Sequence, residues 1–436
     1  MKLTGWMSIC SLAVVLSACG SEVRAPLKGE RIDVHVAKTS LEAHVNAKDV
    51  IFVLPHMQQV LNWPQDSFSF AHQTPNAEIN PLIHPAWKKR IGGGSSSDAR
   101  ILNAPVVAEG LIYASNTDRE IVAVNAETGK KVWEVELKVK EDDLLTSNAA
   151  LAASAESLYV MFQSGDVFAL NRKTGETLWH NNLSIPLRGA PTLAGTSVIV
   201  IAQNNSMHLL NQSDGTLQWT HNGLEESLAL EGGASATVSP KGVVVAPYSS
   251  GELYALQMQT GKYLWHDALS FNVGGDAYSS LVDITASPVI ADDILYAVNY
   301  NGQLSAFQME SGRRLWSVPV SATKTPVVAG SVIFVVDDAG QLICLNRING
   351  LVRWVQNLND FLNKNDREDN KGWSAPLLAG DRLFLASRSG FVLTVDPETG
   401  AKDKLVNLGD DISVAPITAD GAVIFFTDDA RLISYK

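Results

Sequence analysis

Short β-prone runs recur along the chain with polar turns between them. One unit begins with a proline and apolar residues, crosses a polar turn and continues as a strongly β-prone run, as in APVVAEGLIYASN at 104–116 and SPVIADDILYAVN at 287–299. Such runs of Val, Ile and Tyr between turn residues are typical of strands. Proline is tolerated at the start of the first strand because that position need not donate a ladder hydrogen bond. Each unit therefore predicts two adjacent strands.

A second signature follows each strand pair, with alternating positions, a glycine turn and a tryptophan. The first copy, AVNAETGKKVW, ends at Trp133, and further copies end at Trp179, Trp219, Trp265, Trp316 and Trp354. A seventh copy, TVDPETGAKDK, keeps Gly400 but has Lys404 in place of tryptophan. The motif glycines, at 129, 175, 215, 261, 312, 350 and 400, are 38 to 51 residues apart. This period is typical of one four-stranded β-propeller blade per repeat.

The tryptophan at one fixed position of every repeat indicates how the blades pack. The turn glycine can adopt positive φ, so a tight hairpin is expected between the third and fourth strands. An indole on the fourth strand would then pack between neighbouring blades and bury about 200 Å². The residue ten positions earlier is usually alanine, which leaves room for the ring. Cys344 occupies that position in its repeat, so we predict a buried packing residue and not a nucleophile.

The two ends of the chain predict how the ring closes. The last run, AVIFFTDDARLISYK, has Ser434 in the small position but stops before any tryptophan. PAWKKRIG, which contains Trp87, has the pattern of an outer strand, but no strand pattern of the same blade precedes it. Pairing these strands would remove exposed sheet edges. We therefore predict an all-β fold, an eight-bladed β-propeller of four-stranded antiparallel blades over residues 81–436, closed by its N- and C-terminal strands.

Residues 1–18 have the layout of a secretory signal peptide, with a lysine, an apolar run and small residues. Leu16-Ser17-Ala18-Cys19 resembles a bacterial lipobox, which implies a lipid on Cys19; the alternative is an ordinary signal with an incidental cysteine. Gly20 and Ser21 then imply the periplasmic face of the outer membrane. Residues 19–80 are expected to be a lipidated tether. Its apolar patch, VIFVLPHMQQVLNW at 50–63, would dock on the ring or on a partner.

Composition and motifs limit the kinds of binding and catalytic site that the sequence predicts. A net charge of −12 opposes binding to nucleic acid. Only Cys344 would remain as a free thiol in the mature fold, because Cys10 leaves with the signal and Cys19 carries lipid. The sequence has no G-x-S-x-G, H-E-x-x-H or C-x-x-C motif, and its nine histidines are dispersed. We expect no catalytic residues, no metal site and no cofactor.

The repeat A-x-N/D-x-x-T-G-x-x-x-W resembles the tryptophan-docking repeat of pyrroloquinoline-quinone-type propellers. That group contains quinoprotein dehydrogenases and the BamB family of lipoproteins, and the chain is similar to the BamB family across residues 80–436. The resemblance implies a non-catalytic scaffold of the outer-membrane β-barrel assembly (BAM) complex that binds periplasmic domains of BamA and aids folding and insertion of outer-membrane proteins. It leaves unfolded outer-membrane proteins open as a further partner. A quinoprotein dehydrogenase, which would need a Ca²⁺ cage and a base, stays an alternative. Another protein-binding or ligand-sensing envelope propeller is a third.

The resemblance also implies a binding site. The family's contact segment, L-x-L followed by a basic residue, is similar to Leu228-Ala229-Leu230, and its acidic loop is similar to the segment around Asp283. Glu231 stands where the family has the basic residue, and Thr285 stands where a second aspartate is usual. We predict that Leu228, Leu230, Glu231 and Asp283 contact the BamA-like partner. The alternative is that the leucines are core strand residues.

Overall fold

A computed structural model describes residues 41–44, 51–80, 83–139, 147–226, 229–230, 232–269, 282–300, 302–363 and 372–436. In these ranges the strands form eight separate sheets, each of four antiparallel strands. The predicted eight-bladed propeller is therefore confirmed. No helix in this described part is long and apolar enough to cross a membrane.

Blades 1 to 7 use their strands in chain order from the central axis outward, and blade 8 takes its outer strand from the N-terminal part of the chain. The outer strand of blade 8 is β1 (Pro85–Arg90). Blades 1 to 4 contain, four at a time, β2 (Val106–Ala108), β3 (Leu111–Ser115), β4 (Glu120–Asn125), β5 (Lys131–Glu136), β6 (Ala150–Ala153), β7 (Ser157–Met161), β8 (Asp166–Asn171), β9 (Thr177–Asn182), β10 (Leu187–Ala194), β11 (Ser197–Ala202), β12 (Ser206–Asn211), β13 (Leu217–Asn222), β14 (Thr237–Val238), β15 (Val243–Pro247), β16 (Glu252–Gln257) and β17 (Lys262–Ala268).

Blades 5 to 8 continue the same order. They contain β18 (Val289–Ala291), β19 (Ile294–Val298), β20 (Leu304–Gln308), β21 (Arg314–Val318), β22 (Val327–Ala329), β23 (Val332–Val336), β24 (Gln341–Asn346), β25 (Val352–Asn357), β26 (Leu377–Ala379), β27 (Arg382–Ala386), β28 (Phe391–Val395), β29 (Lys402–Asn407), β30 (Ile417–Ala419), β31 (Ala422–Phe426) and β32 (Arg431–Tyr435). A 3-10 helix, Leu358–Phe361, follows β25. The apolar core lies mainly between neighbouring blades, as where residues of blades 1 and 2 form one buried cluster.

The ring closes where the two ends of the chain meet. β1 pairs with β32 in antiparallel register, and Trp87 lies opposite Ser434. The same pairing of a tryptophan with a small residue recurs within the blades, as in Ala123 with Trp133. The predicted closure is confirmed, and it leaves the last blade with a complete set of four strands.

Each motif tryptophan packs on the turn glycine of the next blade, as the repeat predicts. A Cβ added to Gly175 would lie 2.9 Å from the Trp133 ring, and one added to Gly312 would lie 2.6 Å from the Trp265 ring. Six of the seven indoles also donate from Nε1 to a main-chain carbonyl of that next blade, namely those of Trp87, Trp133, Trp179, Trp219, Trp265 and Trp316. One residue type thus supplies apolar burial and a directed hydrogen bond at each interface.

The exception at Lys404 follows from the way the ring closes. Lys404 lies on β29 of blade 7, opposite Thr394, and is exposed. The next blade, blade 8, takes its fourth strand from the N-terminal part of the chain. No hairpin joins its third and fourth strands, so there is no turn glycine for an indole to cover.

Cys344 is a packing residue, as predicted. It is fully buried and lies opposite Trp354 in the pairing of β24 with β25. Burial raises the pKa of the Cys344 thiol, so the thiol stays protonated at neutral pH. A protonated, inaccessible thiol is a poor nucleophile.

Residues 51–80 cover the end of the ring that carries the turns between first and second strands, which we call the turn face. The segment makes a hydrogen bond to every blade. Main-chain N–H groups of blades 1 to 8 donate, in that order, to Trp63 O, Pro64 O, Gln65 Oε1, Phe70 O, Ala71 O, Val53 O, Ala77 O and Val60 O. Five of these donors lie on the free inner edges of the sheets, and those of Ser331, Gly380 and Asp420 lie in the turns that follow the inner strands.

The N-terminal segment therefore belongs to the propeller over residues 51–80. The chain from Leu41 to Lys436 forms one compact unit, so that unit begins upstream of the expected boundary at 81. Trp63, a residue of the apolar patch, is buried in the core shared by blades 7, 8 and 1. Of the two expected docking places for that patch, the structure places it on the ring.

The close approach of indole and glycine can be tested at the first blade interface. Gly129 and Gly110 both have positive φ, +67° and +76°, but only Gly129 has an indole within 4 Å of an added Cβ. We expect Gly110→Ala to cost about 1–2 kcal/mol of unfolding free energy, from the backbone alone. Gly129→Ala should cost about 1–3 kcal/mol more, because Trp87 must move. Urea denaturation of the two variants measures the difference, and equal losses would contradict the packing role.

Candidate partner-binding site

Leu230 lies on the opposite end of the ring, where the outer strand of one blade leads to the inner strand of the next. We call this end the loop face. Leu230 is half-buried and sits in the connection between β13 and β14, outside any strand. The alternative interpretation as a core strand residue is therefore wrong for Leu230. Leu228 and Glu231, like Cys19, lie outside the described residues.

Asp283 lies beneath the loop and is fully buried. Its Oδ2 accepts a hydrogen bond from the Leu230 main-chain N–H at 2.8 Å. Its Oδ1 accepts one from Arg188 Nη2, also at 2.8 Å, in a buried ion pair. The Arg188 Nε and Nη1 atoms have no hydrogen-bond partner in the described part of the chain. Asp283 is thus the main countercharge of Arg188 and joins β10 to the loop that carries Leu230.

Two glycines make room for this arrangement. A Cβ on Gly233 would lie 2.4 Å from Arg188 Nε, so only glycine lets the loop pass over the guanidinium. A Cβ on Gly189 would lie 2.6 Å from the Ala234 carbonyl oxygen, and Gly189 has a φ of +71°. The glycine pair in EGGASA, at 232 and 233, is the sequence signal for the close approach at Gly233.

Ser235 ties the same loop to its neighbours on both sides. Its Oγ accepts from the Ala190 N–H at 3.0 Å, and its own N–H donates to Ser287 Oγ at 3.0 Å. These bonds join blade 3 to the connection that precedes blade 5. Leu230 and Ser235 of this connection are therefore held by hydrogen bonds to Asp283, Ala190 and Ser287.

The loop face opens onto the central channel of the propeller. Residues at the start of the inner strands line the channel, while Trp63, Asp66 and Thr74 of the N-terminal segment line its opposite end. Lys324 also lines it. Burial is the main cause that lowers the pKa of the Lys324 amine, and the positive charge of Arg388 adds to it.

The channel does not fit the metal and quinone chemistry of a quinoprotein dehydrogenase. No three His, Cys, Asp or Glu side chains of the described ranges are grouped so that they could hold a metal ion. A Ca²⁺ cage needs six or more oxygen ligands, with carboxylates among them. Among the described residues that line the channel, Asp66 supplies the one carboxylate. Its Oδ2 lies 3.4 Å from Ser287 Oγ.

A pair with the geometry of a nucleophile and its base is present elsewhere, but it is inaccessible. Ser206 Oγ lies 2.8 Å from His208 Nε2 on β12. Both side chains are buried, and burial lowers the pKa of His208. The other ring nitrogen of His208 contacts the Thr220 hydroxyl and no carboxylate. Since substrate cannot reach the hydroxyl, the contact is structural.

Comparisons with known proteins agree with this architecture. The profile of the family described as "Outer membrane protein assembly factor BamB" matches residues 84–186 and 169–356. The protein of that name from Yersinia pestis is 26% identical over 343 residues, covering 70% of this chain and 87% of the relative. The one from Shewanella oneidensis is 27% identical over 347 residues, covering 77% and 85%. The one from Escherichia coli K12 is 26% identical over 356 residues, covering 80% and 88%.

Solved structures show the same fold. The crystal structure of BamB from Moraxella catarrhalis superposes with a TM-score of 0.68 at 18% identity, covering 81% of this chain and 100% of that one. A europium-containing methanol dehydrogenase gives a TM-score of 0.69 at 14% identity, covering 84% and 89%. Because the propeller supports both a scaffold and an enzyme, this likeness alone decides the fold and not the function.

Proposed function

Because the chain belongs to the family of outer membrane protein assembly factor BamB, we propose that it is a non-catalytic scaffold subunit of the β-barrel assembly complex. In this role it binds periplasmic domains of a BamA-like subunit and aids the folding and insertion of outer-membrane proteins. The observation that carries the proposal is the fixed loop on the loop face, where Asp283 holds the main chain of Leu230.

The loop has the composition of an interface anchor. Leu230 is half-buried, and Leu224 of the same connection is exposed. Glu225 and Glu226 are exposed next to Leu224. An apolar centre with a charged rim is typical of binding sites in which a few residues supply most of the affinity. The matching partner surface would offer an apolar pocket bordered by basic groups.

Asp283 takes a different role from the one that the resemblance implies. As a buried residue it positions Leu230 and does not reach a partner. Glu231 puts an acidic residue where the family has a basic one. We propose that Leu228, Leu230 and Glu231 contact the partner, with Glu231 directed at a basic group.

We further propose that Cys19 carries the lipid and holds the protein at the periplasmic face of the outer membrane. The support is the signal-like sequence of residues 1–18 and the lipobox pattern that ends at Cys19. Mass spectrometry of the purified N-terminal peptide tests the lipid directly. An unmodified thiol on Cys19 would contradict this part of the proposal.

We expect Leu230→Asp to reduce co-purification of the BamA-like subunit from solubilised membranes by about tenfold or more, because a charge would enter the apolar centre of the interface. The control is Leu217→Asp in the same blade, since Leu217 is exposed on the outer strand β13. Both variants should keep the denaturation midpoint of the wild type. Undiminished co-purification of Leu230→Asp would contradict the proposed contact, and a wild-type chain that captures no assembly subunit would contradict the proposed function.

A further inference from the structure

The outward side of the N-terminal segment carries a row of apolar side chains, which we call the apolar strip. It consists of Ile51, Val53, Met57 and Leu61, whose exposed fractions are 78%, 50%, 49% and 52%. The main chain beneath it is bonded to the ring. Val53 N–H donates to Ser331 Oγ, and Gln58 N–H donates to the Asn76 carbonyl. The strip is therefore a fixed part of the turn face.

Ile348 lies beside the strip and adds to it. It belongs to the turn of blade 6 and is 71% exposed. Its neighbour Arg347 donates its N–H to the Ser331 carbonyl, while Ser331 Oγ donates to the Ile51 carbonyl. Ile51 and the residue that precedes Ile348 thus bond to the same serine on the turn face.

The stretch of chain that carries the strip has no formally charged side chain. Residues 51–65, IFVLPHMQQVLNWPQ, contain no Asp, Glu, Lys or Arg, whereas the whole chain has a net charge of −12. An acidic protein is repelled by an anionic lipid surface. An uncharged apolar region is the part of such a protein that can enter a bilayer interface at the lowest electrostatic cost.

The position of the strip in the chain connects it with lipid. Leu41, where the propeller unit begins, follows Cys19 by 22 residues. Such a length reaches at most about 80 Å when fully extended. A lipid on Cys19 would therefore keep the propeller within that distance of the bilayer, and the strip would give the anchored protein a second contact with the membrane.

We propose that the apolar strip rests in the interface of the bilayer that holds the Cys19 lipid, with the turn face toward the membrane. The inference rests on the lipid attachment in the proposed function, and not on the binding of any assembly subunit. Three main-chain contacts of the strip segment, from Val53 to Ser331, from Gln58 to Asn76 and from Val60 to Asp420, are already made within the propeller unit. The loop face, with Leu230 and the channel opening, then points away from the bilayer toward the periplasm.

The test places an environment-sensitive fluorophore on single cysteines of the full-length lipoprotein in phosphatidylcholine vesicles. Val53→Cys and Met57→Cys report on the strip. Leu178→Cys and Leu217→Cys are matched controls, because these leucines are 52% and 50% exposed but lie on outer strands of the ring. The native Cys344 is buried and should not react. We expect a blue shift, and quenching by a lipid-borne quencher, at the two strip positions and not at the controls.

The other outcomes overturn the proposal in distinguishable ways. One outcome is a protein that floats with the vesicles but gives equal spectra at strip and control positions. This result would show that the lipid binds the membrane but that the strip faces water. A chain that does not float would overturn the anchor and the strip together. A blue shift without lipid quenching, seen only after addition of membrane extract, would assign the strip to a protein partner. Because no assembly subunit is present in the first measurement, its result is independent of membership in the complex.

Discussion

Asp283→Ala is expected to lower the free energy of unfolding by about 3–5 kcal/mol, because it leaves a buried guanidinium without its countercharge. Arg188 and Asp283 are both buried, and the remaining Arg188 Nε and Nη1 donors have no partner in the described part of the chain to compensate. Urea denaturation measures the loss. The same variant should weaken binding to the BamA-like subunit, because the Leu230 N–H loses its acceptor.

A double variant separates the two effects. Replacing both charges, as Arg188→Met with Asp283→Leu, removes the unpaired charge and should recover most of the lost stability, since buried ion pairs exchange for apolar groups at little cost. The Leu230 N–H remains without an acceptor, so partner binding should stay weak. Wild-type binding by the stable double variant would contradict the positioning role of Asp283. Wild-type stability of Asp283→Ala alone would contradict the burial of the ion pair.

The ring was predictable because its information is local and repeated. Six of the eight blades place a glycine turn and a tryptophan, usually after a small residue, within about 11 residues, so one motif specifies a hairpin and an interface at once. Closure of the ring was predictable for the same reason. Trp87 stands at the tryptophan position of a repeat that lacks its small residue, and Ser434 stands at the small position of a repeat that lacks its tryptophan; the two pair in the structure. The Lys404 exception was visible in the sequence, but its cause lies in the absence of a turn in blade 8, which only the closed ring shows.

The path of the N-terminal segment could not be predicted, because its contacts are remote and irregular. Val53 and Ser331 are bonded across 278 positions of sequence. Neither residue belongs to a motif, and the segment contacts every blade except blade 3 through main-chain atoms that any sequence possesses. The apolar patch at 50–63 gave a reason to expect docking, but the choice between the ring and a partner needed the structure.

The resemblance named two connections that lie together in the structure, since Leu230 and Asp283 are bonded to each other. Their role in binding a partner stays a prediction. The sequence did not reveal that Asp283 is buried, because its ion-pair partner Arg188 lies 95 positions away on another blade. An aspartate beside a binding loop has the same appearance in sequence whether it faces a partner or supports the loop from below.

Trp265→Ala is expected to lower the free energy of unfolding by about 3–5 kcal/mol, which is the usual range for a large aromatic side chain removed from a core. Trp265 is 6% exposed and belongs to the buried cluster between blades 4 and 5. Its Nε1 donates to the Met309 carbonyl at 2.7 Å, and its ring covers Gly312 of the next blade. The substitution therefore removes packing and a hydrogen bond from the same interface.

Two further variants separate these contributions and provide the control. Trp265→Phe keeps much of the ring contact but leaves the Met309 carbonyl without its donor, so it should give an intermediate loss. Lys404→Ala changes the equivalent position of blade 7, where the side chain is exposed and covers no turn glycine, and should shift stability by no more than about 0.5 kcal/mol. A propeller closes only when every blade interface is made. One weakened interface should therefore lower the free energy of unfolding of the whole ring, which unfolds cooperatively. A loss at Trp265 no larger than that at Lys404 would contradict the role of the indole in holding neighbouring blades together.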